Sequence, residues 1–326
     1  MEVFIDIILL SFIAVTAVAI LRMTNLFAII MLFGIFSFLS ASLFAVMDAV
    51  DVAFTEAAVG AGISTVLMLA TIALTKTQKE KVSVSHRHWL PLSVVIVTGA
   101  VLVYGTLDLP AFGDPEAPAQ THVAPYYIDK AVEETGLPNM VTSVLASYRG
   151  FDTLGEVVVV FTAGVAVLLL LGGKHRISDT GTNEIEKNEH SLILRVVAKF
   201  LIPLIIVFAL YVQFHGDFGP GGGFQAGVIL SAAIILYTLV FGLDAAERVI
   251  PPSILRILAS LGVLIYTGVG IVTILLGGNY LNYSVLGDSK VAGQHLGILL
   301  VELGVGIAVF AVLLVIFLTF AGRGRP

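Results

Sequence analysis

The sequence predicts an all-α polytopic membrane protein of about nine transmembrane helices. Three observations lead there: 58% of the 326 residues are hydrophobic, only 12% are charged, and the mean hydropathy is +1.02. A soluble domain carries about 25% charged residues, so this composition leaves too little charge to cover a water-facing surface. One helical crossing takes roughly 20 mostly apolar residues. Runs of that kind fall near 3–21, 25–46, 53–75, 90–107, 154–172, 193–213, 224–243, 254–276 and 294–320.

The first run does not read as a cleaved leader. Glu2 and Asp6 lie at its start and Arg22 follows it, the reverse of a basic n-region. Cysteine is absent, which excludes disulfides, thiolate clusters and iron–sulfur ligands on this chain, and no cofactor is expected. Charge sorts by side. Arg22, Lys76, Lys79, Lys81, Arg87, Lys174, Arg176, Lys187, Arg195, Lys199, Arg248, Arg256, Arg323 and Arg325 share one side, 14 of the 17 basic residues. Lys130, Arg149 and Lys290 fall on the other. The excess of Lys and Arg marks the cytoplasmic side, so an external N-terminus and a cytoplasmic C-terminus are expected. An odd number of spans satisfies that arrangement.

Three modules follow along the chain. Residues 1–85 form a three-helix unit ending in the basic loop "KTQKEKVSVSHRH", with Trp89 just beyond as an interfacial anchor. Residues 86–176 form a two-helix unit around a long outer segment, Pro-rich and then amphipathic. In "PNMVTSVLASY", Val141, Val144, Leu145 and Tyr148 recur at helical spacing, and Pro138 suits a first turn, which predicts a surface helix. Residues 177–190 are a polar cytoplasmic linker, and 191–326 form a four-helix unit. "GVGI" recurs at 268–271 and 304–307, too little for an internal repeat, and no related halves are visible.

"FHGDFGPGGGFQAG" at 214–227 interrupts two apolar runs. Gly221, Gly223 and Ala226 match G-x-G-x-x-A on paper, but an apolar span precedes them where a strand is required, and no Lys-Ser/Thr ending follows. Nucleotide binding is set aside. Two readings of Pro220, Gly221, Gly222, Gly223 and Phe224 remain, a tight turn or a break whose backbone groups line a polar cavity.

Carboxylates inside membrane spans are functional candidates by default. Glu56 shares a helical face with Gly60 and Ser64 and has Asp48 and Asp51 just outside, so it reads either as an interfacial residue or as an ion-path group. Glu302 lies deepest, with His295 seven residues earlier on the same face. That pair could pass a proton along a wet seam, or Glu302 could be a buried group bonded to a neighbour. Glu156 lies three residues after Thr153, the spacing of a capping box, and from spacing alone reads as a helix start. His215 beside Asp217 suits a relay at the outer mouth, whereas His86 and His88 suit a solvated loop. No cluster has zinc or iron spacing, and no nucleophile–base pair is present.

"GDFGPGGGFQAGVILSAAIIL" and "HLGILLVELGVGIAV" resemble the MnhB-type (MrpB) component of the multi-subunit Mrp/Mnh-type Na+/H+ antiporters. "VDVAFTEAAVGAGISTVLMLATIAL" resembles the C-terminal extension of the large A-type component of those complexes, a part also found as small subunits of membrane-bound hydrogenases (MbhD and MbhE). "VLASYRGFDTLGEVVVVFTAGVAVLLL" resembles the section after it. The resemblance implies an antiporter component without enzyme activity of its own, in a bacterial or archaeal plasma membrane. Its partners would be the other subunits, a large antiporter-like one among them, and lipid, with no nucleic acid. It supports Glu56 and raises Glu156 from helix cap to ion-path candidate, with a transient Na+ near Glu56 as the only metal. Two alternatives share the architecture: a membrane-arm component of a hydrogenase-like or complex I-related respiratory complex, and a scaffold that only holds pumping subunits in register.

The charge asymmetry makes a direct prediction. In right-side-out cells an impermeant thiol reagent should label a cysteine placed at Gln120 and spare one placed at Thr182; equal labelling would overturn this topology.

Overall fold

The computed structural model describes residues 2–75, 89–111, 113–172 and 192–322. The basic loop with His86 and His88 and the 177–190 linker lie outside the described residues. Among those described there is no strand, and nine helices are long and apolar enough to cross a membrane. They match the nine apolar runs to within a few residues at each end.

α1 (Glu2–Arg22) and α2 (Leu26–Val46) form a hairpin, and the Asn25 side chain caps the second helix by accepting from Ala28 N–H at 3.1 Å. The chain bends at Asp48, which takes a left-handed φ of 58°, into α3 (Val50–Glu56). Directly after Glu56 the helix widens into π geometry over Ala57–Ser64, and α4 (Thr65–Thr75) completes the span. Such widened turns are rare and concentrate at functional sites. α5 (Trp89–Thr106) buries none of its residues.

The segment between α5 and α8 (Gly150–Leu171) differs from the sequence expectation. A helix not foreseen, α6 (Ala124–Thr135), starts near Pro125 and ends at Gly136, whose φ of 77° is the usual left-handed stop. Next come α7 (Met140–Thr142) and a π-helical turn, Ser143–Tyr148. Pro138 stands before this helix, and Asn139 is its cap. The packed face also differs. Thr142, Ser143 and Ala146 are buried, whereas Leu145 is 45% exposed. Small side chains are on the inside because the segment lies close against other backbone, as its hydrogen bonds below show.

α9 (Leu192–His215), α10 (Gly223–Phe241), the short α11 (Leu243–Val249), α12 (Pro252–Leu275) and α13 (Lys290–Gly322) complete the chain. α13 is the axis of the bundle. It packs on α12, α10 and α8, and its buried residues run from Gly293 to Leu318. Lipid supplies no hydrophobic force between helices, so close backbone approach and dispersion must hold them. A Cβ on Gly262 would lie 2.5 Å from Gly304 O, and one on Gly227 would lie 2.7 Å from Gly306 O. These two crossings bring α12 and α10 onto α13. Two fully buried tyrosines pin the start of α8: Tyr266 donates to Gly150 O at 2.7 Å, and Tyr283 donates to Ala146 O at 2.9 Å.

The α12–α13 crossing should therefore resist any added side chain. Gly262→Val is expected to lower the thermal midpoint of the detergent-solubilised protein, with about 1–3 kcal/mol lost to overpacking. Gly268→Val, whose Cβ would meet nothing within 4 Å, should leave the midpoint unchanged.

Candidate functional site

The 216–222 stretch is a tight reversal between α9 and α10, not a break within one span. Gly222 sits at φ +114° and ψ −177°, a conformation that side-chain-bearing residues avoid. Donors to the carbonyls of this reversal come from the start of α7. Asn139 Nδ2 donates to Gly216 O and Gly219 O, both at 2.9 Å, and Asn139 N–H donates to Asp217 O at 3.0 Å. Thr142 Oγ1 adds a bond to Gly216 O at 2.6 Å. Asn139 is 8% exposed; without its side chain Gly216 O would keep Thr142, while Gly219 O would lose its donor from Asn139. From the other side, Asp51 Oδ1 of α3 accepts from Gly221 N–H at 3.3 Å.

Behind the reversal lies a cavity of about 290 Å³. Asp51 and Thr55 line it from α3, Thr142 and Leu145 from the α7 segment, and Thr153 and Glu156 from α8. Gly221 to Gln225, Tyr266 and Glu302 complete the wall. Glu302 is half-buried, and among the described residues no hydrogen bond reaches its carboxylate; Asp217 and Asp51 are within its electrostatic reach. An atom at the Cβ position of residue 222 would sit 3.0 Å from Glu302 Oε1. Gln225, 8% exposed, donates through Nε2 to Thr55 Oγ1 at 3.0 Å. Glu156 is exposed on this chain, two turns into α8. Its capping-box reading fails, because Thr153 Oγ1 donates to Leu145 O at 2.7 Å instead and the helix starts earlier, at Gly150.

The other candidates are distributed around this cavity. Glu56 does not line it. Its carboxylate folds over Gly60 beside Ser37 of α2, in a separate polar seam where the π segment begins. Asp48 forms the bend between α2 and α3. His215 stacks on Tyr211 with ring centroids 4.8 Å apart, so it does not pair with Asp217. Asp217 instead faces His295, with Nδ1 and Oδ2 4.0 Å apart. His295 thus stands at the mouth, about 10 Å along α13 from Glu302 at 1.5 Å per residue. Thr55, Asn139, Gln225 and Tyr266 were missed by sequence reasoning, although Gln225 stands as a polar residue inside an apolar run.

The chain's likeness to known proteins follows the same regions. Residues 193–315 match the family described as a domain related to the MnhB subunit of Na+/H+ antiporter. The putative antiporter protein mnhB2 of Staphylococcus aureus (strain Newman) is 33% identical over 137 residues, which cover 41% of this chain and 96% of that protein. The chain belongs to the MnhB family. Outside its MnhB region, residues 11–77 match the MbhD family and residues 86–187 the MbhE family, both named for components of MBH. A probable K+/H+ antiporter protein of the A/B type from Rhizobium meliloti (strain 1021) is 28% identical over 186 residues, 51% of this chain but only 18% of that protein. A chain of the Mrp complex from Dietzia sp. DQ12-45-1b superposes with a TM-score of 0.76 at 26% identity, covering 98% of this chain and 35% of that one. A chain of the archaeal membrane-bound sulfane sulfur reductase, a respiratory membrane complex, gives 0.54 at 29% identity, covering 71% and 97%. This MnhB-family chain is a multi-pass membrane protein.

Burial holds the Asp217 carboxyl above its usual value of 3.8, with His295 partly offsetting the effect. The folded chain therefore binds this proton more tightly than the unfolded chain does, and its contribution to stability falls as pH rises above 3.8. Asp217→Asn should raise the thermal midpoint at neutral pH, and the gain should shrink as pH falls toward the ordinary carboxylate range. A constant difference across that range would assign the effect to packing.

Proposed function

We propose that this chain is a membrane component of a multi-subunit monovalent cation/proton antiporter, with the Glu302 cavity forming part of the ion route. One observation carries the reading: a carboxylate without a hydrogen bond among the described residues, in a cavity whose walls come from α3, α7, α8, α10, α12 and α13. A carboxylate held in its charged form among packed membrane helices carries a desolvation cost. Either a proton or a bound cation relieves that cost, and one carboxylate does not hold both tightly at once. Competition for a single group is the elementary step of exchange. Asp217 and His295 supply titratable groups at the mouth, and Asp51 and Glu156 place two further carboxylates on the cavity wall.

The named activities of the Staphylococcus and Rhizobium relatives and the likeness to the Dietzia complex support the transport reading. The partners are other Mrp-type subunits, including a large antiporter-like one, together with lipid. The chain would act as one component of a secondary transporter, with no enzyme chemistry of its own. Its three modules, 1–85, 86–176 and 191–326, would meet at the cavity, with the 216–222 end outside and the C-terminus cytoplasmic. A second reading rests on the sulfane sulfur reductase likeness, in which redox subunits elsewhere drive ion movement through the same architecture. Redox subunits with cysteine clusters in the purified native complex would decide for it.

Glu302→Gln keeps the shape and removes the exchangeable proton. In everted vesicles carrying the native complex, cation-dependent proton movement should fall at least about tenfold, an added barrier near 1.4 kcal/mol, with assembly retained. Glu302→Asp should keep partial activity. Wild-type exchange in an assembled Glu302→Gln complex would overturn the ion-route reading. Glu56→Gln is expected to slow exchange as well, which would extend the route into the α2–α3 seam.

A further inference from the structure

Within the cavity, Gly222 leaves a gap between two oxygen atoms from different elements. The Cβ position of residue 222 lies 3.0 Å from Glu302 Oε1 and 3.7 Å from Gln225 Oε1. The Gln225 side chain is fixed rather than free to turn away: it is 8% exposed, and its Nε2 is committed to Thr55 Oγ1. Its Oε1 is left facing the cavity without a hydrogen bond among the described residues. Asp51, whose Oδ1 holds Gly221 N–H, adds a second carboxylate to the same wall.

We propose that a partly dehydrated monovalent cation binds over Gly222, between the Glu302 carboxylate and the Gln225 amide oxygen. The proposal rests on the ion-route reading and gives that route a binding position. Hard cations take oxygen ligands, and carbonyl-type oxygens can replace part of a hydration shell in a membrane path. The neutral amide adds a ligand without adding charge that would trap the ion. The N-terminus of α10 starts at Gly223 and opposes a cation with about +0.5 charge. Glu302 and Asp51, when ionised, outweigh it. Thr55 is a positioning residue, since its hydroxyl sets which end of the Gln225 amide faces the gap. A side chain at 222, where a φ of +114° already favours glycine, would project toward both oxygens and narrow the space between them.

The test is a cation titration of proton movement in everted vesicles with the native complex, using Na+ and K+ separately. Gln225→Met keeps the bulk and removes the amide oxygen, and should raise the half-saturating concentration about tenfold for the transported ion. Thr55→Val releases the amide and should raise it about threefold. Half-saturation within about twofold of wild type in both variants, with Glu302→Gln inactive, overturns this binding position and leaves the route through Glu302 standing. Unchanged titrations in all three variants remove the route itself. If Gln225→Met fails to assemble, Thr55→Val decides alone: a raised half-saturation supports the position and an unchanged one overturns it.

Discussion

Satisfying the backbone of a reversal buried among helices is the constraint on which the site depends. Within the 216–222 stretch the Asn139 side chain answers for two carbonyls and its own N–H for a third. That clamp fixes the reversal against α3, where Asp51 takes the Gly221 N–H. With both sides held, Gly222 is presented to Glu302 and Gln225 is delivered to Thr55. The cavity is thus a consequence of hydrogen bonds between distant stretches rather than of any one helix. α13 supplies the rigid wall behind it through the glycine crossings at Gly304 and Gly306.

Much of the fold was legible because membrane spans announce themselves by length and apolarity alone. Glu302 was legible for a related reason, as a lone acid in a long apolar run. The residues it is grouped with were not. Asn139 and Gly216 are 77 residues apart, and no periodicity encodes which buried carbonyl a side-chain amide will reach. Gln225 and Thr55 are 170 residues apart in the chain, and nothing local to either signals their hydrogen bond. The capping-box spacing at Thr153 and Glu156 was real, but a tertiary acceptor at Leu145 took the hydroxyl. α6 left readable signs in Pro125 and Gly136, which the proline-rich stretch before it masked.

The carboxylates divide into two environments. Asp51, Glu156 and Glu302 share the cavity, while Glu56 lies with Ser37 at the start of the π segment. Glu56 and Thr55 are neighbours in sequence yet face different surroundings, since consecutive positions on a helix are about 100° apart. α3 therefore stands between the two regions, and its widened continuation begins where the second one opens. A change in that segment would bear on both.

The position over Gly222 also has a meaning at the level of the gene. Any base change in a glycine codon that alters the amino acid installs a residue with a β-carbon. At 222 that carbon meets a backbone angle of +114° and points at Glu302 Oε1. Isosteric drift, which lets most membrane positions wander among Leu, Ile, Val and Phe, has no first step here. Silent changes in the third base apart, every substitution at this codon meets that geometry and that charge together.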